Sequence, residues 1–348
     1  MDIVLVILGL ALLILGHEFG HFSAAKFLKM KVEEFGIGFP PRLFGKKKGE
    51  TIYSVNALPF GGFVKIYGED GEENGDSEAF LNKSFWQKSV VVLAGIVMNF
   101  LIGWVMLAIV LMIGTAPHLM ITSVESNSPA MQAGLKTGDV IKGAEVGGRV
   151  FADPISDAEF ATAVKDASDP AIQLTILRNG STMQVSLDKR LNPPPGQGAI
   201  GVGLSEIGMP PEPFFQSLSD AAVEVWNFSL LIFGGLWVLI SGIFVNPSVV
   251  NEVAGPVGIV VLASNATSIG IAYLVQLLAL ISVNLAVLNL IPFPALDGGR
   301  FLIFVIEKMR KKKISSKVQL AVNGAGFALL ILLMVFVTFN DIKNLVIH

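Results

Sequence analysis

The chain has 348 residues, 52% of them hydrophobic and only 15% charged, with a formal net charge of −3. That is too apolar for an ordinary soluble protein, and it offers no basic footprint, so no nucleic-acid partner is expected. There is no cysteine, which excludes disulfides, thiolate metal ligands, a thiol nucleophile and iron–sulfur clusters; a metal would have to be held by His, Asp, Glu or backbone oxygens.

Residues 3–27 form an apolar run long enough to cross a bilayer, which takes roughly 20 residues. The run lacks the basic start of a signal peptide, and its polar residues come late, at His17, Glu18 and His21. In residues 34–68, Thr51-Ile52-Tyr53-Ser54-Val55 and Phe63-Val64-Lys65-Ile66-Tyr67 alternate like strands with turn formers between them. This predicts a β-hairpin region dipping into the membrane, with an edge able to pair with an unwound peptide. Residues 89–114 are a second span.

Residues 119–206 read as an inserted α+β domain. Ile172 to Leu177 alternates as a strand, and Arg178-Asn179-Gly180-Ser181 is a hairpin signal. The stretch 128–141, with Gly134 and Gly138-Asp139-Val140-Ile141, resembles the signature of a PDZ domain. Gly198-Ala199-Ile200-Gly201-Val202 resembles a PDZ peptide-binding loop, placed at the domain's end as in the circularly permuted bacterial form; a peptide ligand is expected there. Residues 207–268 form a linker whose apolar part, 221–245, is expected to lie in or re-enter the interface rather than cross. Residues 270–291 are a third span, broken by Pro292 and Pro294, and 318–339 a fourth.

The fold class is therefore a polytopic α-helical membrane protein of four transmembrane helices, with a membrane-associated β-hairpin region and an inserted PDZ domain. Its divisions are 1–118, 119–206, 207–268 and 269–348. The loops between spans one and two and between spans three and four hold 17 of the 25 Lys and Arg residues. The positive-inside rule puts both loops in the cytoplasm, with the PDZ domain and both termini on the far side.

His17-Glu18-Phe19-Gly20-His21 is an HExxH motif. On a helix, residues four apart share a face, so both imidazoles can reach one Zn²⁺ while Glu18 serves the attacking water. Ionisable side chains inside a span are costly, and here three fall within five residues. A catalytic zinc usually takes three protein ligands. His118 lies just past the second span and His348 ends the chain, so the third ligand is expected to be a carboxylate at matching depth. Asp297, in Asn289-Leu290-Ile291-Pro292-Phe293-Pro294-Ala295-Leu296-Asp297-Gly298-Gly299, satisfies that requirement.

HExxH in the first span, this Pro-rich Asp-Gly-Gly segment after the third, and a permuted PDZ domain between spans two and three resemble the site-2 protease family, most closely its bacterial RseP-type branch. Gly36-Ile37-Gly38-Phe39-Pro40 and Leu58-Pro59-Phe60-Gly61-Gly62-Phe63-Val64-Lys65 extend the resemblance. It implies zinc ligands His17, His21 and Asp297, Glu18 as base, and substrate contacts near Asn289, Pro292 and Pro294. It also implies residence in a bacterial inner membrane and transmembrane protein substrates already trimmed by another protease, of the anti-sigma factor or remnant signal peptide kind. The best-known member carries two PDZ domains, whereas this chain has room for one. A transporter using the intramembrane His and Glu as a proton relay, or a PDZ-bearing scaffold, are the alternatives. The first leaves the PDZ domain and the HExxH spacing without a role; the second expects a broken motif.

Overall fold

The structure is a computed structural model that describes residues 2–69, 76–178, 180–194, 196–242 and 255–347. His348 and the Asn179 of the expected hairpin turn lie outside them. The bundle grows from apolar helices that pack through small residues. Helix α1, Asp2–Phe27, runs antiparallel to α2, Phe85–Ile113. A methyl group at Gly16 would strike Ile102, and one at Gly20 would lie 2.9 Å from the Met98 Cβ, so these glycines set the close approach. Helix α2 starts with a capping box, in which Ser84 Oγ accepts from Gln87 N and Gln87 Oε1 from Ser84 N, and ends at Gly114 with φ +76°. Helix α7, Ile271–Leu290, is antiparallel to α2 on another face; Gly103 faces Ala279 and Val283, and Ser282 Oγ donates to the Asn99 carbonyl at 2.8 Å.

After α7 the chain breaks at Pro292 and Pro294 and re-enters helix at α8, Asp297–Arg310. Gly298 and Gly299 are needed here, because a Cβ at either would collide with the carbonyl oxygens of Leu290, Ile291 or Phe293. Helix α9, Ser316–Ile347, leans on Pro294 through Gly326 and runs back to the opposite end of the bundle. There Asp341 accepts from the amides of Gly255 and Gly258, at 3.1 and 2.8 Å, and caps α6, Pro256–Ile269.

The two expected strands, 51–55 and 63–67, lie along one long strand, β2, Thr51–Ile66, and the strand that pairs with it is the unexpected β1, Val32–Lys48. Both bend. The first part of β1 pairs with the end of β2 (Val32 with Ile66, through Ile37 with Gly62) and, on its other side, with the start of β2 (Glu34 with Ile52, through Ile37 with Val55). Its root packs Val32 and Ile66 against Ala25, Met30, Val91, Val92 and Phe304. Its tip is apolar and exposed at Phe39, Leu43 and Phe44, as a lipid-facing surface would be.

The inserted domain spans β3, Thr115–Val124, to β8, Val202–Met209. Between them come α3, Pro129–Gln132, β4, Val140–Val146, β5, Arg149–Ala152, α4, Asp157–Asp166, β6, Ala171–Arg178, and β7, Ser181–Asp188. The sheet order is β7-β6-β4-β3-β8, with β5 paired to β4. Its core holds Leu119, Ile121, Ile141, Ile172, Leu174 and Ile176, the inward members of the alternating strands, with Phe160 of α4 packed on them. β3 leaves α2 directly and pairs Thr115 with Met209, so the domain stands on two adjacent strands. Tyr273 at the start of α7 donates to the Ala116 carbonyl at 2.6 Å, fixing that base to the bundle.

The apolar linker segment differs from its expected form. It is one continuous helix, α5, Phe214–Gly242, starting seven residues before position 221; residues 243–245 fall outside the described ones. Its first turns pack lengthwise on the end of α2: Glu212 N, just before the helix, donates to Leu111 O, Trp104 Nε1 donates to Leu218 O, and Ala221 sits among Leu107, Ala108, Leu111 and Ala279. Leu230, Leu231, Phe233 and Trp237 beyond it are exposed. By length and composition α1, α2, α5, α7 and α9 are each able to cross a membrane, as a polytopic membrane protein requires. α5 begins where β8 leaves the inserted domain, and α6 ends at Gly270, beside the start of α7 that holds the domain's base.

Candidate metal centre

His17 and His21 sit one turn apart on α1, pointing towards the start of α8. His17 Nε2 is 3.0 Å from Asp297 Oδ2, His21 Nε2 is 3.3 Å from the same oxygen, and the two Nε2 atoms are 3.1 Å apart. Ligand atoms at about 2.0–2.1 Å from a tetrahedral zinc lie about 3.3 Å from one another. The triangle therefore has the size of one face of such a site. Asp297 Oδ2 is buried and makes no hydrogen bond. Two imidazole nitrogens and a carboxylate oxygen converging without a shared donor make a cradle suited to a cation. Among the described residues this is the group of three such side chains able to hold a metal.

The local chain explains the meeting. Asp297 is the first residue of α8, and Ala295 before it holds φ +76°, a left-handed conformation costly for a residue with a side chain. The amide of Ala295 donates to Asn323 Oδ1 of α9 at 3.4 Å. This tight turn points α8 back towards the HExxH face of α1.

The three groups open on a cavity of about 330 Å³ also lined by Glu18, Asn289 and Arg300. Glu18 is thus beside the triangle without belonging to it, and its Cγ packs near Gly62 of β2. Of the expected substrate contacts, Asn289 lines this cavity. Pro292 and Pro294 line a separate apolar pocket of about 210 Å³ against α8 and α9, with Leu302, Ile306, Val318 and Val322. His118 lies in the inserted domain, on β3, where Nδ1 meets Asp153 at 2.7 Å and Lys142 at 3.2 Å.

Sequence reasoning missed the groups behind the imidazoles. His21 Nδ1 donates to the Val91 carbonyl at 2.8 Å, and His17 Nδ1 meets the Asn99 amide at 3.2 Å. Between them on α2, Gly95 has no room for a side chain: a Cβ there would collide with His21 Nε2 and lie 2.8 Å from His17 Cε1. The sequence did carry one signal, a lone Asn in the middle of an apolar span. Glu69 and Arg300, an ion pair at 2.7 Å across the cavity wall, were also missed. They lie just past the end of β2 and in the first turn of α8, which only the fold brings together.

An HExxH helix meeting a distant aspartate inside a bundle of membrane-length helices is a metallopeptidase arrangement. Residues 5–333 match Peptidase family M50. The chain is 35% identical over 347 residues to a Clostridium perfringens protein described as "Putative zinc metalloprotease CPE1693", covering 98% of each. It is 29% identical over 421 residues to the zinc metalloprotease RasP of Shouchella clausii, covering 96% of this chain and 97% of that one. With the Bacillus subtilis regulator of sigma-W protease RasP it shares 27% identity over 415 residues, 96% of each chain. The chain belongs to peptidase family M50, the site-2 proteases. It is a membrane metalloendopeptidase whose cofactor is zinc.

Proposed function

We propose that the enzyme cuts single-span membrane proteins within or beside their transmembrane segments, with His17, His21 and Asp297 as zinc ligands and Glu18 as general base. The observation that carries the reading is the triangle of ligand atoms 3.0–3.3 Å apart, opening on a cavity that Glu18 also lines. Zinc supplies Lewis acidity there, acidifying the attacking water and polarising the scissile carbonyl. Glu18 takes the proton from the attacking water and passes it to the leaving amide nitrogen. Asn289 on the cavity wall is placed to hydrogen-bond the substrate backbone. Pro292 and Pro294 act at one remove, by ending α7 so that α8 can turn Asp297 inwards.

A substrate helix hides its own backbone and must unwind to be cut. The 62–66 segment of β2 has no sheet partner on its outer side among the described residues, and Val64 and Ile66 line the cavity. Strand addition there extends the substrate past Glu18. The inserted domain reads as a permuted PDZ module. A groove of about 710 Å³ runs between α4 and β8, lined by Phe160, Val164, Ile200, Val202 and Leu204, with Lys165 and Arg190 at its margin. That chemistry suits the C-terminus of a trimmed substrate, of anti-sigma factor or remnant signal peptide type. Four net crossings of a bacterial inner membrane, with both basic loops cytoplasmic, complete the reading.

The test is Glu18→Gln in the full chain. Zinc should stay at one per chain while cleavage of a model single-span substrate is lost, and His21→Ala should lose both. Cleavage by Glu18→Gln at the wild-type rate overturns the mechanism.

A further inference from the structure

Both imidazoles of the pair present Nε2 to Asp297, so ligation requires that nitrogen to be free of its proton. The proton then sits on Nδ1 and needs an acceptor. For His21 the acceptor is the main-chain oxygen of Val91, 2.8 Å away, which no side-chain substitution removes. For His17 the group within reach is the side chain of Asn99, whose amide nitrogen lies 3.2 Å from Nδ1. Asn99 is 1% exposed, and its Oδ1 is buried with no hydrogen-bond partner. A half turn of the carboxamide exchanges oxygen for nitrogen with almost no change of shape, and brings Oδ1 onto His17 Nδ1.

We propose that Asn99 is a positioning residue of the metal centre: its Oδ1 accepts the Nδ1–H of His17 and so holds the tautomer that leaves Nε2 open to zinc. This rests on the assignment of His17, His21 and Asp297 as ligands. The backbone supports it independently. Val91, Gly95 and Asn99 recur every fourth residue along one face of α2, opposite two histidines that are themselves four apart on the antiparallel α1. Val91 and Asn99 serve the two outer nitrogens, and Gly95 lets both rings approach. The Ser282 hydroxyl holds the Asn99 carbonyl at 2.8 Å, so this turn of α2 is anchored on α7 as well. One histidine thus has its orientation set by main chain, and the other depends on a single side chain.

The experiment measures zinc affinity by chelator competition on the full chain in detergent micelles, for wild type, Asn99→Leu, Asn99→Asp and His21→Ala. Leucine keeps the volume and removes the acceptor; aspartate keeps the acceptor. Asn99→Leu should bind zinc about 10- to 100-fold more weakly, the usual effect of losing such a partner, while Asn99→Asp stays within about threefold of wild type. In parallel, ¹⁵N-histidine NMR of the zinc-loaded wild type should show His17 protonated at Nδ1, a spectrum simplified by there being only four histidines. The inference is overturned if folded Asn99→Leu binds zinc like wild type, if folded Asn99→Asp is as weak as Asn99→Leu, or if His17 carries no proton on Nδ1. Should Asn99→Leu fail to fold, the wild-type spectrum still decides. Wild-type affinity in His21→Ala would instead overturn the ligand assignment itself.

Discussion

Gly95 and Asp297 show how little slack the proposed metal centre has at the scale of single residues. A methyl group at Gly95 would collide with His21 Nε2 and sit 2.8 Å from His17 Cε1, so both rings must move. Ligand geometry tolerates shifts of only about 0.5 Å. Gly95→Ala should therefore lower zinc affinity about 10- to 100-fold, as loss of a supporting group does. Chelator competition checks this, and a variant that holds zinc as wild type does would show that the rings can give way. Asp297→Asn removes the one negative charge in the triangle while keeping its shape. It should weaken both zinc binding and cleavage, and unchanged zinc content at limiting metal would remove Asp297 from the ligand set.

At the scale of elements, the inserted domain is held by a clamp well away from the chemistry. Asp139, at the turn into β4, has a side chain only 1% exposed. Arg178 at the end of β6 binds it through Nε and Nη2, both at 2.6 Å, and also donates to Gly134 O at 2.7 Å. Asp139 in turn accepts the Lys136 amide at 2.8 Å. These hydrogen bonds to Asp139 hold the Arg178 guanidinium even more firmly protonated than usual. Arg178→Met should leave a buried carboxylate unpaired and destabilise the domain by about 3–5 kcal/mol. Hydrogen exchange on β4 and β6 in the full chain should then accelerate, with zinc content unchanged. Protection equal to wild type would show that the clamp is dispensable.

For the whole molecule, the direction of each helix decides where the chemistry sits. α1 and α7 run one way, α2 the other, and Asp297 reaches His17 and His21 because α7 ends where the HExxH turn of α1 lies. The α5 helix is long enough to cross. Yet a net crossing there would reverse α7 and carry Asp297 to the opposite half of the bilayer. Single cysteines report this directly in a chain with none of its own. Cysteines at Ser205 and at Ser248, a position outside the described residues, should react with an impermeant reagent added from the far side, and one at Lys312 should not. Labelling of the Ser248 position only from the cytoplasm would sink the four-crossing topology. Deleting 120–205 tests the domain's role. Met120 and Ser205 are paired across β3 and β8, so a short linker closes the gap. The deleted chain should keep zinc and cut substrates with bulky far-side domains; an unchanged preference for trimmed substrates argues against a filter.

The HExxH pair was legible in the sequence because a helix alone puts residues four apart on one face. Asp297 was legible because span lengths and loop charges set its depth, and the domain's alternating strands because one face must be buried. None of these needs a distant contact. The structure alone decided what stands behind the imidazoles, since Val91, Gly95 and Asn99 reach His17 and His21 only through the register of α1 on α2. It separated Asn289, on the cavity wall, from Pro292 and Pro294, which the family resemblance had grouped with it, because a broken helix end turns its residues to different sides. It doubled the β region back on itself, a pairing that depends on bends in both strands. It also packed α5 along α2, because hydropathy records that a segment is apolar and says nothing of which neighbour covers it.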